Sequence, residues 1–341
     1  MFLSKAAGRA RGPAGSDPLS SDAAGGPGQL MRASPQSENL RGENLRGILA
    51  MLAAMFFFVT NDTFVKLASE QLGTPQIILI RGSIACVFVG LLAWATGAFR
   101  TLPRRGWRAM GLRTVGEIGG TALFLTALFH MKIANATAIL QAMPLVMTVL
   151  SALILGEVVR WRRWMAVIAG FLGMLLVVQP GTAGFNAYAL FAVASLAFAA
   201  LRDLASRFLP AEVPSLFVAF VSMVAVTIAG GLWSLTEPWK PVSGEVLVYL
   251  ACAAVLLSGA FYFITEGMRH GEVSVVAPFR YSIILIAILL GYLVWGQLPD
   301  LMASAGIVLI IASGLYVFYR ESRVHRRERR GEAETGGVDH A

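Results

Sequence analysis

The sequence predicts an all-α, polytopic membrane protein: a bundle of ten transmembrane helices arranged as two inverted five-helix repeats. Three observations predict it. Of 341 residues, 56% are hydrophobic and only 14% are charged, against about 25% charged in an ordinary water-soluble chain. Such a chain cannot cover a wet surface with polar groups and must turn apolar side chains to lipid. The apolar residues come in ten runs, each near the ~20 residues that cross about 30 Å of hydrocarbon. Finally, arginine-rich and arginine-poor connections alternate along the whole chain.

Taken in order, residues 1–45 are rich in Gly, Ala, Ser, Pro and Arg without periodicity, which predicts a disordered cytoplasmic tail. A short duplication, Glu-Asn-Leu-Arg-Gly at 38–42 and 43–47, closes it, and Met31 is a second candidate start. No secretory signal is expected, because the first apolar run begins near residue 47. The predicted spans are 47–69, 75–97, 109–130, 134–156, 162–180, 186–207, 214–234, 244–267, 273–295 and 301–319, followed by a basic tail over 321–341. Breakers separate them, among them Gly73-Thr74-Pro75, Gln179-Pro180-Gly181 and Leu298-Pro299-Asp300. Trp94, Trp107, Trp161, Trp164, Trp233, Trp239 and Trp295 fall near the boundaries, where amphipathic rings prefer to sit.

Ten spans put both tails on one side, with Arg100, Arg104, Arg105, Arg108, Arg160, Arg162, Arg163, Arg207, Arg269 and the arginines from Arg320 to Arg330. The opposite connections hold Lys132 and Lys240. The positive-inside rule then places both termini in the cytoplasm, and the inner membrane of the cell is the expected location. The net charge of +8 is thus an orientation signal and gives no footing for nucleic acid.

The halves resemble each other. Leu155-Gly156-Glu157 closes the fourth run and Trp295-Gly296-Gln297 the ninth; Asp62 with Lys66 answers Asp203 with Arg207. Five spans per repeat is odd, so the second copy is inverted, the arrangement by which two similar halves exchange inward and outward shapes around a central site. The expected repeats are 46–181 and 182–320.

These residues resemble the drug/metabolite transporter superfamily, EamA type, over about 47–320. The stretch from Ala134 to Pro144 and on to Glu157 is similar to that family's fourth helix, and Arg162-Arg163-Trp164 with Gly170 and Gly173 to its fifth. Asn61-Asp62 with Lys66, and Ala277 to Tyr281 with Leu298-Pro299-Asp300, look like the subgroup that includes S-adenosylmethionine uptake carriers; riboflavin carriers share the superfamily. The resemblance implies a ten-helix fold and secondary transport, and leaves the cargo open among amino acids, nucleotide sugars, cofactors and drugs. Gln297 stands where the first repeat has Glu157, and Ile284 where it has Pro144, so the halves are unequal.

Ionisable groups inside the spans are the chemistry-bearing residues, since each costs about 2.5–3.5 kcal/mol in hydrocarbon unless paired or hydrated. They are Asp62, Lys66, Arg81, Glu117, Arg202, Asp203, Glu266 and Arg280. The i,i+4 spacing lets Asp62 pair with Lys66 and Asp203 with Arg207, either as a gate at each mouth or as interfacial structure. Arg81 and Arg280 each need a carboxylate partner or a wet cavity, and an arginine fork suits a substrate carboxylate or phosphate. Glu117 is a candidate for proton coupling, or else a counter-ion to Arg113. Gln141 and Tyr281 occupy near-equivalent repeat positions and could hold a polar ligand near the midplane, with Pro144 and Pro278 bending their helices. Gly116, Gly119, Gly120, Gly170 and Gly173 are expected to let helices approach closely.

Cys86 and Cys252 lie inside apolar runs, and His130, His270, His325 and His340 are scattered, so no metal, cofactor or nucleophile spacing is present. A membrane-embedded enzyme is therefore the weaker class. No phosphate-cradling glycine loop argues for ATP-driven transport, and no repeated filter argues for a channel. The expectation is a secondary active transporter of a small polar organic metabolite, working in uptake of a cofactor, vitamin or amino-acid-type compound. Its partners are the bilayer and the substrate, a homodimer is admitted, and export of amino acids or drugs is the alternative direction.

Overall fold

The computed structural model describes residues 35–96, 106–154, 156, 159–182, 184–210, 212–270 and 272–335. Most of the N-terminal tail with Met31, the arginines Arg100, Arg104 and Arg105, Leu155, Glu157 and His340 lie outside the described residues. Contacts divide the chain into Met1–Asn39 and a compact unit, Leu40–Ala341.

The helices are α1 (Pro35–Ala68), α2 (Thr74–Ala95), α3 (Trp107–His130), α4 (Ile133–Leu140), α5 (Met143–Ile154), α6 (Trp161–Val178), α7 (Tyr188–Ser206), α8 (Ser215–Ser234), α9 (Gly244–His270), α10 (Val273–Val276), a 3-10 turn at Ala277–Tyr281, α11 (Ser282–Trp295) and α12 (Leu301–Thr335). No strand occurs among the described residues. Ten stretches are long and apolar enough to cross a membrane, from Gly42–Ala68 to Leu301–Arg320, so this is a multi-pass membrane protein. The fourth is α4 with α5, and the ninth runs from the 3-10 turn through α11. Two helices outrun the predicted spans. Helix α1 begins at Pro35, a residue pre-set for a first helical turn, and α12 continues past the bilayer to Thr335.

The bundle interior holds many small residues beside large ones such as Met51, Leu128 and Ile310. Small residues such as Ala54, Ala136, Ala138, Ala192, Ala200, Ala253 and Ala260 are fully buried, while Phe56, Val87, Leu91, Leu153, Leu285 and Val308 are exposed. Lipid solvates Leu as well as protein does, so close backbone packing, rather than burial of bulk, favours association. Gly116 shows this most directly: a methyl group there would stand 2.7 Å from the Phe198 carbonyl oxygen and 2.7 Å from the Arg202 amide nitrogen of α7. Gly173 of α6 likewise meets the Gly306 carbonyl of α12.

The packing relates the two halves. Helix α2 lies on α8, α6 on α12, and α4 on α11. Each pair joins a span to its counterpart five spans later, which places the counterparts face to face across the repeat boundary. Helix α3 packs on α7, also across that boundary.

With ten crossings, both ends of the compact unit share one side, here the terminal end. The opposite, far end is laced between the repeats. Trp295 Nε1 donates to Glu70 at 3.1 Å, Ser243 to Gln71 at 3.0 Å, and Gln76 exchanges bonds with the Lys240 backbone at 2.7 and 3.2 Å. Lys132 donates to the Leu298 carbonyl at 2.8 Å, Gln179 to Asp300 at 2.7 Å, and Asn186 to the His130 carbonyl at 2.7 Å. Asp300, in the connection before α12, also accepts the Ala303 amide at 2.7 Å and so caps that helix. That amide bond, with the Gln179 amide and the Lys132 charge, holds the Asp300 carboxyl below the ordinary carboxylate range against its partial burial.

Candidate functional site

Two interrupted helices meet in the bundle. Proline lacks an N–H, so Pro144 cannot bond back to the Leu140 carbonyl; α4 stops at Leu140, Gln141-Ala142 forms a turn, and α5 restarts at Met143. In the second half Pro278 lies in the first turn of the 3-10 segment Ala277–Tyr281. The Gln141 amide donates to the Arg280 carbonyl at 3.3 Å and ties one break to the other. Gln141 and Tyr281 are thus brought together, both buried. The hydroxyls of Thr137, Tyr281 and Ser282 are buried beside these breaks without a hydrogen-bond partner among the described residues. Broken helices at a repeat interface are where carriers expose backbone and polar side chains to a ligand.

Charged side chains converge nearby from α3 and α7, with α8 and the 3-10 turn alongside. Glu117 forms ion pairs with two guanidiniums, Arg113 at 3.6 Å and Arg202 at 3.5 Å. Arg202 Nε also donates to Asp203 at 2.8 Å. Arg113 donates to Ser206 at 3.0 Å and to Ser222. Arg280 has Asp203 as its nearby opposite charge without reaching ion-pair distance of it, and Arg202 as a like-charged neighbour. Asp203 side-chain exposure is 41% and that of Arg202 is 32%, so these charges, carried on membrane spans, are not sealed inside the protein.

A second polar set lies toward the far end. Asn61 bridges two charges: its amide donates to Asp62 at 2.9 Å, and Arg81 donates to its carbonyl oxygen at 3.4 Å. Asp62 and Arg81 are charge partners. The expected pair between Asp62 and Lys66 does not form. The Lys66 ammonium instead donates to the Met131 carbonyl, stands 5.2 Å from the Trp295 ring centroid, and has Glu70 as its charge partner. An i,i+4 spacing permits a pair, but a neighbouring helix end offering a free carbonyl and an aromatic face competes better. In the other candidate gate, Asp203 binds its chain neighbour Arg202. Glu266 pairs with His270 away from both sets.

Sequence reasoning named Asp62, Arg81, Glu117, Arg202, Asp203, Gln141, Arg280 and Tyr281, and missed Ser206 and Ser222. A signal was present for Ser222: at the repeat offset that relates Asp62 to Asp203, it is the counterpart of Arg81. Among the described residues, no three His, Cys, Asp or Glu side chains gather where a metal ion could be held.

The EamA-like transporter family model matches this chain twice, over residues 45–179 and again over 186–319. The chain belongs to the EamA-like transporter family. Its tandem EamA segments are the two five-span halves seen in the packing. Among curated relatives, the riboflavin transporter of Vibrio cholerae serotype O1 is 28% identical over 297 residues, covering 85% of this chain and 99% of the relative. The pseudopaline exporter CntI of Pseudomonas aeruginosa is 28% identical over 78% of this chain and 94% of its own length. The S-adenosylmethionine uptake transporter of Rickettsia felis is 27% identical over 58% of this chain and 66% of its own. A solved crystal structure superposes with a TM-score of 0.53 at 21% identity, covering 79% of this chain and 94% of that one, and shows the fold alone.

Proposed function

We propose that this EamA-family protein is a secondary active carrier that takes up a small polar organic metabolite across the inner membrane, with both termini in the cytoplasm. The observation that carries this reading is the partly exposed charge cluster Glu117, Arg202, Asp203 and Arg280 beside the tied breaks of the fourth and ninth spans. Charges at that depth are costly unless they serve a wet pathway. The laced far end and the accessible cluster fit a carrier closed on one side, and the expected repeats 46–181 and 182–320 are its moving halves. Relatives named for riboflavin and S-adenosylmethionine make a cofactor or vitamin the leading cargo class. The exporter among the relatives keeps the reverse direction as the second reading. Glu117 is the proposed coupling carboxylate, since a proton on it would release both guanidiniums it now holds.

The test is uptake into liposomes reconstituted with the full chain, using labelled riboflavin and S-adenosylmethionine, with proton gradient and membrane potential imposed separately. Saturable uptake of either compound that rises with an imposed gradient supports the proposal. Flux that never saturates, or no response to either gradient in both directions, overturns it.

A further inference from the structure

Among the described residues, the charges around the tied breaks do not balance, and the imbalance lies on one residue. Arg113, Arg202 and Arg280 bring three guanidiniums, whereas Glu117 and Asp203 bring two carboxylates. Both Glu117 oxygens are taken, one by Arg113 and one by Arg202. Arg202 also holds one Asp203 oxygen, and Arg113 spends further donors on Ser206 and Ser222. The Arg280 side chain makes no hydrogen bond or ion pair with the described residues, although its residue is exposed and its backbone carbonyl is held by Gln141 at 3.3 Å. Its backbone is held by Gln141 while none of the five N–H donors of its fork is taken by a described residue.

An unmatched, pre-positioned guanidinium on a membrane span calls for an anion, and a planar fork is best satisfied by a group with two oxygens side by side. We propose that the cargo carries an oxyanion, a carboxylate or a phosphate, and that Arg280 takes it directly. The inference rests on the carrier reading and deepens it. Arg202, already committed to two carboxylates, is a positioning residue for Glu117 and Asp203. Asp203 repels the bound anion and so eases its release.

The experiment uses the purified full chain in detergent without added lipid and three matched probe pairs: adenosine 5′-monophosphate with adenosine, nicotinate with nicotinamide, and pantothenate with pantothenol. Thermal unfolding and equilibrium binding are read for each. In at least one pair the acidic member is expected to bind about tenfold tighter than its neutral twin, as a charge-assisted fork implies. Phosphate against carboxylate pairs then tells the two oxyanions apart. Arg280→Gln removes the preference, and Arg280→Lys keeps the charge without the fork and retains part of it. Asp203→Asn should strengthen the preference, a change of opposite sign that loss of folding cannot imitate. Arg269→Gln, an exposed arginine at the end of α9, leaves the preference as it was.

The proposal is overturned if no acidic probe outbinds its twin, if Arg280→Gln binds as the parent does, or if Asp203→Asn weakens the acid preference. Counterflow of the same probes in liposomes separates the two claims. Acid-selective binding without counterflow leaves the oxyanion site standing and strikes the carrier reading. Counterflow of a neutral probe that survives Arg280→Gln strikes the site and leaves the carrier.

Discussion

Glu117 and Asp300 are both acidic, and their settings give them opposite work. Glu117 is shared by two arginines inside the bundle, so Glu117→Gln removes the charge that holds Arg113 and Arg202 while keeping the shape. If Glu117 couples transport to protons, Glu117→Gln retains counterflow and loses the response to an imposed proton gradient; an unchanged gradient response would remove it from the coupling step. Asp300 works at a helix end. Replacing an N-cap by alanine costs about 1 kcal/mol, so Asp300→Ala should lower the thermal midpoint of the purified protein at neutral pH. The sign of its pH dependence follows from a carboxyl held below its ordinary value of 3.8. Its contribution is complete above that value and is lost as pH falls through the lower, folded-state value. The gap between parent and Asp300→Ala should stay constant from pH 5 to 8 and close only in stronger acid.

At the scale of elements, the broken helices carry the argument. A proline inside a helix costs about 3 kcal/mol, so a break kept in the fourth span implies a use for the freed backbone. Pro144→Ala restores the N–H facing the Leu140 carbonyl and should let α4 and α5 join. The expected result is a protein that is more resistant to thermal unfolding and slower in uptake at equal membrane insertion; uptake at the parent rate would make the break a packing feature only. The α3–α7 seam gives the contrary case. The Gly116→Ala methyl group meets backbone atoms at 2.7 Å, and overpacking of this kind costs about 1–3 kcal/mol. Because α7 also carries Arg202 and Asp203, the same change should reduce transport along with the unfolding temperature.

At the scale of the whole molecule, the second, fourth and fifth spans face their counterparts and the far end is tied from repeat to repeat. If the halves rock about the central site, those ties must open in each cycle. Gln179→Cys with Asp300→Cys, in a chain whose Cys86 and Cys252 are changed to Ser, places two thiols across the lacing. Bridging them with a short bifunctional reagent should bring uptake to background, and reduction should restore it. Uptake that persists in the bridged protein would show that the far end need not part.

The ten crossings, their paired halves and the inventory of charges carried on the spans were legible in the sequence alone. Hydrophobic run length, arginine alternation and the recurrence of Asp62 with Lys66 as Asp203 with Arg207 depend on composition along the chain, and the bilayer imposes them locally on every span. Which charge meets which was not legible. Spacing paired Asp62 with Lys66, yet Lys66 turns to the Met131 carbonyl and Trp295, while Asn61 joins Asp62 to Arg81. Nor does any local pattern show that Glu117, spaced to meet Arg113, also binds Arg202, or that Gln141 reaches the Arg280 backbone across the repeat boundary. Those partners lie 85 and 139 residues apart. A side chain in low dielectric takes the best partner within a few ångströms, and only the packing of α3 on α7 and α4 on α11 decides who that is.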